Sequence, residues 1–373
     1  MLKVKINSLL DYIQPTKYIV SSEEYSNKFN TPVLTAGDTF LLGYTNDKDG
    51  IYNASKHNPI ILFDDFTTAI KWVDFPFKVK SSACKIIVSK TKTNLRYCYY
   101  AMKAMNFDHS QHKRYWISEY SGQLINDYEN ENSKIVAELD NITDTISKKE
   151  QVILNLDELI KSRFIEMFGD PIQNEKAWNS SILNEVTDVR DGTHDSPKYH
   201  DRGYPFVTSK NLIDGKIDFS TCQLISEEDY LHFNDRSRVD DGDILMPMIG
   251  TIGGAIIVKK DREFSIKNVA LIKFTKDNTK INRTFILYIL NSDSMNNYFE
   301  LTKKGGTQKF IALGVIRNIP IIVPPIELQN EFDKFVNQID KSKFVCYSKY
   351  FLWLNLTFVS STIAYSNVVS ILE

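Results

Sequence analysis

No two of the four cysteines, Cys84, Cys98, Cys222 and Cys346, are spaced as a CxxC pair. This excludes the usual signature of a zinc ribbon or a redox pair. Scattered single cysteines read as free thiols in a reducing compartment, so the expected location is cytoplasmic. The opening residues, Met1 to Ile6, contain neither a long apolar run nor a small-residue cleavage site, which argues against a secretory leader. Catalytic signatures are missing as well. There is no Asn-Pro-Pro-Tyr or Asp-Pro-Pro-Tyr tetrad, and no Gly-x4-Gly-Lys-Ser/Thr loop to cradle nucleotide phosphates. His109 and His112 share a helical spacing but have no third ligand nearby, so no metal is expected. Asp214-Gly215-Lys216 imitates half of a nuclease site, a triplet that arises readily by chance.

Excess charge of one sign is also lacking. The net charge is −2 over 373 residues, so distribution matters more than total. Lys71 to Arg114 carries ten Lys/Arg against two acids, and Lys259 to Lys309 carries eleven against five. Between them, Gln123 to Asp170 carries five against eleven. A charge run is ordinarily a solvated face. Two basic blocks, one in each half, favour a polyanionic partner.

The length suits two domains with a connector. Hydrophobic residues at 42% and charged residues at 25% are enough for packed cores and exclude global disorder. Residues 1–122 read as one mixed α+β domain: Pro59–Phe63 and Ala83–Val88 are strand-like, and 94–106 is helical. Residues 123–172 read as a connector dominated by one long helix. Positions 135, 139, 142, 146, 149, 153, 156, 160, 163 and 167 alternate in steps of four and three, and hold Ile135, Leu139, Ile142, Ile146, Lys149, Ile153, Leu156, Ile160, Arg163 and Met167. Eight of the ten are apolar, the pattern of a coiled-coil seam. The competing reading is an amphipathic core helix, but mean globular helices have only about 11–12 residues. Gly169-Asp170-Pro171 supplies the stop.

Residues 173–325 return to α+β texture, and a second helix opens after Pro324-Pro325, with Leu328, Phe332, Phe335 and Ile339 again in steps of four and three. The order domain, helix, domain, helix is a weak internal repeat, in which Leu9–Ile13 matches Ile182–Val186. The second helix is read as 326–344. Residues 345–373 form an atypical tail, uncharged from Phe351 to Leu372, which reads as a frameshifted or recombined end rather than as helix. A membrane span is disfavoured because Asn355, Thr357, Ser360, Ser361, Thr362, Ser366 and Asn367 dilute it.

One run is specific enough to suggest a family. Leu156-Asp157-Glu158-Leu159-Ile160-Lys161-Ser162-Arg163-Phe164-Ile165-Glu166-Met167-Phe168-Gly169-Asp170-Pro171 resembles the central region of the specificity subunits of type I restriction–modification systems. Val33–Gly37 with Leu42–Thr45, and Phe63–Thr68 with Val73–Ser82, are similar to one class of first target-recognition domain. Gly306–Ile311 leading to Pro320 and Pro324-Pro325 is similar to the exit from a second. The first domain has no such proline exit: it runs out through Gly122-Gln123-Leu124-Ile125-Asn126-Asp127-Tyr128.

The resemblance implies two target-recognition domains separated by long antiparallel helices in an elongated, pseudo-two-fold α+β architecture. It implies a non-catalytic DNA reader whose partners are double-stranded DNA, two methyltransferase subunits and restriction (motor-nuclease) subunits. S-adenosylmethionine, ATP and Mg would belong to those partners, with no cofactor on this chain and no membrane. A helix of this length spans roughly 57 Å, or about 17 base pairs of duplex axis. Candidate phosphate anchors are Lys71, Lys78, Lys80, Lys113 and Arg114 in the first domain, and Lys198, Lys210, Lys267, Lys303, Lys304 and Lys309 in the second. Candidate base readers are Thr67, Thr68 and Tyr115, and then Thr193, His194, Ser196, Asn268 and Gln308. Any single lysine is more often a solvated side chain, and His194 and Tyr115 are equally readable as packed structural residues. Alternatives are a stand-alone coiled-coil DNA-binding protein without a methyltransferase partner, a non-functional truncated specificity subunit, a nuclease or methyltransferase in its own right, and a membrane-tethered adaptor.

Overall fold

The computed structural model describes residues 2–37, 39–90, 92–105, 114–128, 131–250, 253–274, 280–305 and 309–359, with 346–359 as backbone alone. The chain divides into two compact units. Residues up to Lys149, with those from Tyr350 onward, form the first; Glu150–Lys349 form the second. The division falls inside the long helix.

The first unit opens with β1 (Leu2–Lys5), the one-turn helix α1 (Ile6–Leu9) and β2 (Leu10–Ile13). Then come β3 (Thr31–Leu34), β4 (Leu41–Thr45), β5 (Ile60–Asp64), β6 (Ile70–Val73), β7 (Lys78–Val79), β8 (Cys84–Ser89), α2 (Leu95–Lys103), α3 (Tyr115–Ser118), β9 (Leu124–Asp127) and α4 (Asn132–Phe168). A four-stranded antiparallel sheet has the order β2-β8-β5-β6. In a three-stranded sheet, β3 pairs antiparallel with β4 and parallel with β7. β1 and β9 form an antiparallel pair.

The unbroken apolar run of β5 follows from burial on both faces. Strand side chains alternate. Ile61 and Phe63 join Ile6, Tyr97, Trp116 and Tyr120 in one cluster, whereas Ile60 and Leu62 join Leu34, Phe77 and Val79 in another. Each such side chain contributes about 1.5–3 kcal/mol on burial, so one polar replacement anywhere from Ile60 to Phe63 would break a core.

The second unit repeats this plan. Its elements are β10 (Asn179–Ile182), α5 (Leu183–Val186), β11 (Asp188–Asp191), β12 (Tyr204–Val207), β13 (Leu212–Ile213), β14 (Lys216–Ile217), β15 (Gln223–Ile225), α6 (Glu227–Ser237), β16 (Ile244–Pro247), β17 (Ile256–Ile257), β18 (Ser265–Ile266), β19 (Val269–Lys273), α7 (Arg283–Leu290), α8 (Asp293–Thr302), α9 (Leu313–Arg317), β20 (Pro320–Val323) and α10 (Ile326–Val359). The order β11-β19-β16-β17 mirrors β2-β8-β5-β6. β12 pairs antiparallel with β15 and parallel with β18, as β3 does with β4 and β7. β10 and β20 correspond to β1 and β9. The buried Ile6 and Leu183 open the equivalent one-turn helices α1 and α5. The sequence match of Leu9–Ile13 to Ile182–Val186 was therefore displaced by one helical turn.

Several expectations are corrected. The connector does not begin at 123: Leu124–Asp127 is strand β9, so the first domain exits through the same strand as the second, without a proline. The seam contains Phe164, 2% exposed, in place of Arg163, which lies on the surface between Glu166 and Glu331. Leu139, Ile160, Met167 and Phe332 are buried, while Ile135, Ile142, Ile146, Ile153, Leu156, Leu328, Phe335 and Ile339 are half-buried. In the second unit Phe164 packs on Phe332, Phe285 and Phe168, with ring centroids 5.1–5.7 Å apart. The helix written as 326–344 continues through Val359, so the uncharged stretch is helical at least that far. Residues 360–373 lie outside the described part. Asp214-Gly215, with φ 49° and 75°, is the turn of the β13–β14 hairpin, the conformation that Asp-Gly favours. Among the described residues no helix is long and apolar enough to cross a membrane.

The end of α4 shows how the local sequence terminates a helix. Gly169 takes φ 74° and donates its N–H to Ile165 O at 2.8 Å. The last carbonyls, which have no partner within the helix, accept from Lys176 Nζ, on Met167 O at 3.2 Å, and from Trp178 Nε1, on Phe168 O at 2.9 Å. Asp170 Oδ1 accepts from Ile172 N and Gln173 N.

Candidate nucleic-acid interface

In the second unit, segments far apart in sequence meet at one surface. After β11 the chain must approach the β18–β19 turn closely. A Cβ on Gly192 would lie 2.3 Å from Ile266 O, so only glycine fits there. This approach seats Thr193 against Lys267 in a parallel bridge, with Thr193 N donating to Ile266 O at 3.1 Å. Lys267 Nζ then donates to Ser196 Oγ at 2.8 Å. Asn268 adopts φ 54°, a left-handed conformation that Asn tolerates better than most residues.

His194 lies between Asn268 and Asp191. Its Nδ1 is 2.6 Å from Asn268 Oδ1, and its Nε2 is 3.0 Å from Asp191 Oδ2. The other Asp191 oxygen takes the Arg236 guanidinium. Ser209 Oγ donates to Asn268 O at 3.3 Å, which brings in the turn that carries Lys210. On the far side, Gly250 N donates to Lys309 O, and Phe310 exchanges backbone hydrogen bonds with Lys304. A cavity of about 370 Å³ lies among Asp191, His194, Asn268, Met248, Phe310 and Ile311.

The sequence candidates Thr193, His194, Ser196, Lys267 and Asn268 are thus brought together, with Lys304 and Lys309 at the same surface. Lys198 and Lys210 are exposed. Two acids of this unit are held by one other cation: Lys273 pairs with Asp240 at 2.8 Å and with Asp243 at 2.6 Å. The hydrogen bond from Lys273 holds the Asp240 carboxyl below its ordinary pKa, whereas burial pushes that of Asp243 up. Among the described residues no carboxylate lies within ion-pair distance of Lys198, Lys210, Lys304 or Lys309. These four cations are therefore available to an external anion, as the backbone of a duplex requires.

Lys303 is a correction. It is tied to Glu300 and only 14% exposed, so it serves the fold rather than a phosphate. Gln308 lies outside the described residues. Asp191 and Arg236 went unnoticed in the sequence. The signal available was Asp191 three residues before His194, inside the same turn-rich loop.

In the first unit, the β5–β6 turn carries Thr67, exposed, and Thr68, at φ 58°. Asp64 Oδ1 builds the turn by accepting from Phe66 N and Thr67 N, each at 2.9 Å. Asp65 connects it to the next segment: its O accepts from Tyr115 N and its Oδ1 from Trp116 N, both at 2.9 Å. Arg114, exposed, is thereby set beside the turn. Lys71 is half-buried on β6, and Lys80 is exposed near Glu23 at 3.9 Å.

Two candidates fail here. Lys78 is 4% exposed, paired with Asp47 at 3.1 Å and donating to Asp49 O at 2.7 Å. Tyr115 is wholly buried. Both are structural. Lys113 lies outside the described residues, as do His109 and His112. Lys103, at the end of α2, has its ammonium pKa lowered, first by burial and then by Lys71 and Arg96, the latter paired with Asp140 at 2.7 Å.

Residues 175–344 match the model of the type I restriction modification DNA specificity domain. The chain is 52% identical over 124 residues to the EcoR124I/EcoR124II type I restriction enzyme specificity subunit of Escherichia coli, a match covering 32% of this chain and 30% of that protein. It is 24% identical over 369 residues to the MjaVIII specificity subunit of Methanocaldococcus jannaschii, covering 90% of this chain and 85% of the relative. Among solved structures, the S subunit of a type I system from M. genitalium superposes over 99% of this chain and 95% of its own length, with TM-score 0.56 at 13% identity, a likeness of fold. Residues 175–344 thus match a type I restriction modification DNA specificity domain, and the chain is similar to type I specificity subunits over most of its length.

Proposed function

We propose that this chain reads DNA for a type I restriction–modification system, each unit recognising one part of a split duplex site. The repeated topology carries the reading: two units with the same strand order, each with a long helix after its last strand. A duplicated reader on one chain is what a bipartite target calls for, and the polar loops with available lysines in the second unit fit a groove edge between phosphates.

In this reading the chain is not a catalyst. It directs two methyltransferase subunits, and with them the restriction subunits, to the site in the cytoplasm. S-adenosylmethionine, ATP and Mg are held by those partners, and the long helices set the distance between the two half-sites.

The test is co-expression with a type I methyltransferase subunit in a host without adenine methylation, followed by genome-wide mapping of methylated adenine. A split motif with a fixed gap is the expected result. Absence of methylation, with the same methyltransferase active beside an intact specificity subunit, would sink the reading.

A further inference from the structure

Both ring nitrogens of His194 are engaged within the protein, Nε2 by Asp191 and Nδ1 by Asn268. A ring held at both nitrogens has no hydrogen-bonding group left for a base edge, even though the side chain is 63% exposed. Asp191 is the anchored end of this series. Its side chain is 8% exposed and its second oxygen is taken by Arg236.

Asn268 is the other end. Its backbone is fixed on both sides: its N–H donates to Thr193 O at 3.3 Å, and its carbonyl accepts from Ser209 Oγ. One end of its amide meets the ring, and the residue borders the cavity beside Met248 and Phe310.

We propose that Asn268, not His194, makes the base contact in this half of the site, and that Asp191 and His194 are positioning residues that fix which end of its amide is offered. This rests on the DNA-reading function proposed above. An amide open at both ends pairs bidentately with adenine N6 and N7. With Oδ1 turned to the ring, the open end of the amide is its NH2, which only donates, so Asn268 reads an acceptor on one base pair.

The test maps methylated adenine for the wild type and for Asn268→Gly, His194→Ala and Asp191→Asn, each co-expressed with the methyltransferase subunit. Glycine keeps the left-handed backbone without strain while removing the amide. Asn268→Gly makes one base position in one half-motif degenerate, with discrimination there falling about tenfold or more; the other half and the gap are unchanged. His194→Ala and Asp191→Asn degrade that same position. An intact motif in folded Asn268→Gly overturns the proposal. So does an even loss of methylation at an unaltered motif, or a change in His194→Ala at a different position. If Asn268→Gly does not fold, His194→Ala at its exposed site decides alone: one altered position supports the proposal and an unaltered motif ends it. If the wild type writes no split motif, the DNA-reading function fails first and takes the proposal with it.

Discussion

Lys343 Nζ lies 2.5 Å from Asp157 Oδ1 and joins α10 to α4 within the second unit. The same two helices meet through Phe164 and Phe332. The aromatic contact outweighs the ionic one. Asp157 is 49% exposed, and a pair open to water contributes about 0.2–1 kcal/mol, whereas truncating a buried phenylalanine costs about 3–5 kcal/mol. Lys343→Met should shift the midpoint of chemical denaturation only slightly, and Phe332→Ala should shift it several times further. Equal shifts would mean that the helix pair is held by charge.

The helix itself was legible in the sequence because its apolar period runs without Gly or Pro from 132 to 168. Its seam was legible only in part. A strict alternation of four and three places Arg163 inside, but the aromatic cluster around Phe285 and Phe332 draws in the neighbouring Phe164. Heptad spacing carries no information about which rings wait on the other side. The same limit explains Lys78 and Tyr115. Each looked like a DNA contact by residue type, and each is buried by a partner distant in sequence, Asp47 and Asp65. The second-unit loop was more legible because Thr193, His194 and Ser196 are local to one turn-rich segment, although Asp191 and Arg236, which orient His194, were not.

Arg163 and Phe164 therefore make a direct comparison. Arg163 lies at the surface with two carboxylate partners, so Arg163→Ala should barely move the unfolding midpoint. Phe164→Ala should cost about 3–5 kcal/mol. Urea unfolding of both variants gives the answer. A larger loss for Arg163→Ala would restore the seam as the spacing alone drew it.

Salt dependence separates the exposed lysines from the buried one. Each phosphate contact contributes about 0.9 to the slope of log affinity against log salt. Replacing Lys309 or Lys210 with Ala should flatten that slope by about that amount on a duplex carrying the target, with the motif unchanged. Lys78→Ala should leave the slope alone and lower the melting temperature instead. Fluorescence anisotropy across a salt series, paired with thermal unfolding, reads both. A flatter slope for Lys78→Ala would return that residue to the interface.

Acid should loosen the first unit through Asp47. Hydrogen bonds from Ser21, then the contact with Lys78, lower its carboxyl pKa to about 2. A carboxyl depressed on folding contributes stability above its unfolded value near 3.9, and that contribution is lost as pH falls toward the folded value. The window is therefore about pH 4 down to pH 2. Ser21→Ala removes the largest cause, so the Asp47 pKa should rise toward the ordinary range and the acid transition should move to higher pH. Carboxyl titration followed by NMR checks this, and an unmoved Asp47 would show that the backbone N–H of residue 21 and Lys78 together hold it down.

Gly192 ties the reading loop to the core. Its Cα approaches Ile266 O so closely that a methyl group would sit 2.3 Å from that oxygen, and the neighbouring Thr193–Lys267 bridge depends on the approach. Ile266 is fully buried on β18 and does not yield readily. Gly192→Ala must therefore lift the loop, at a cost of about 1–3 kcal/mol, and carry His194 away from Asn268. The expected signature is double: a lower melting temperature, and blurred recognition in one half-motif while the other stays sharp. A variant with a lower melting temperature but a sharp motif would show that the loop's conformation matters to the fold and not to the reading.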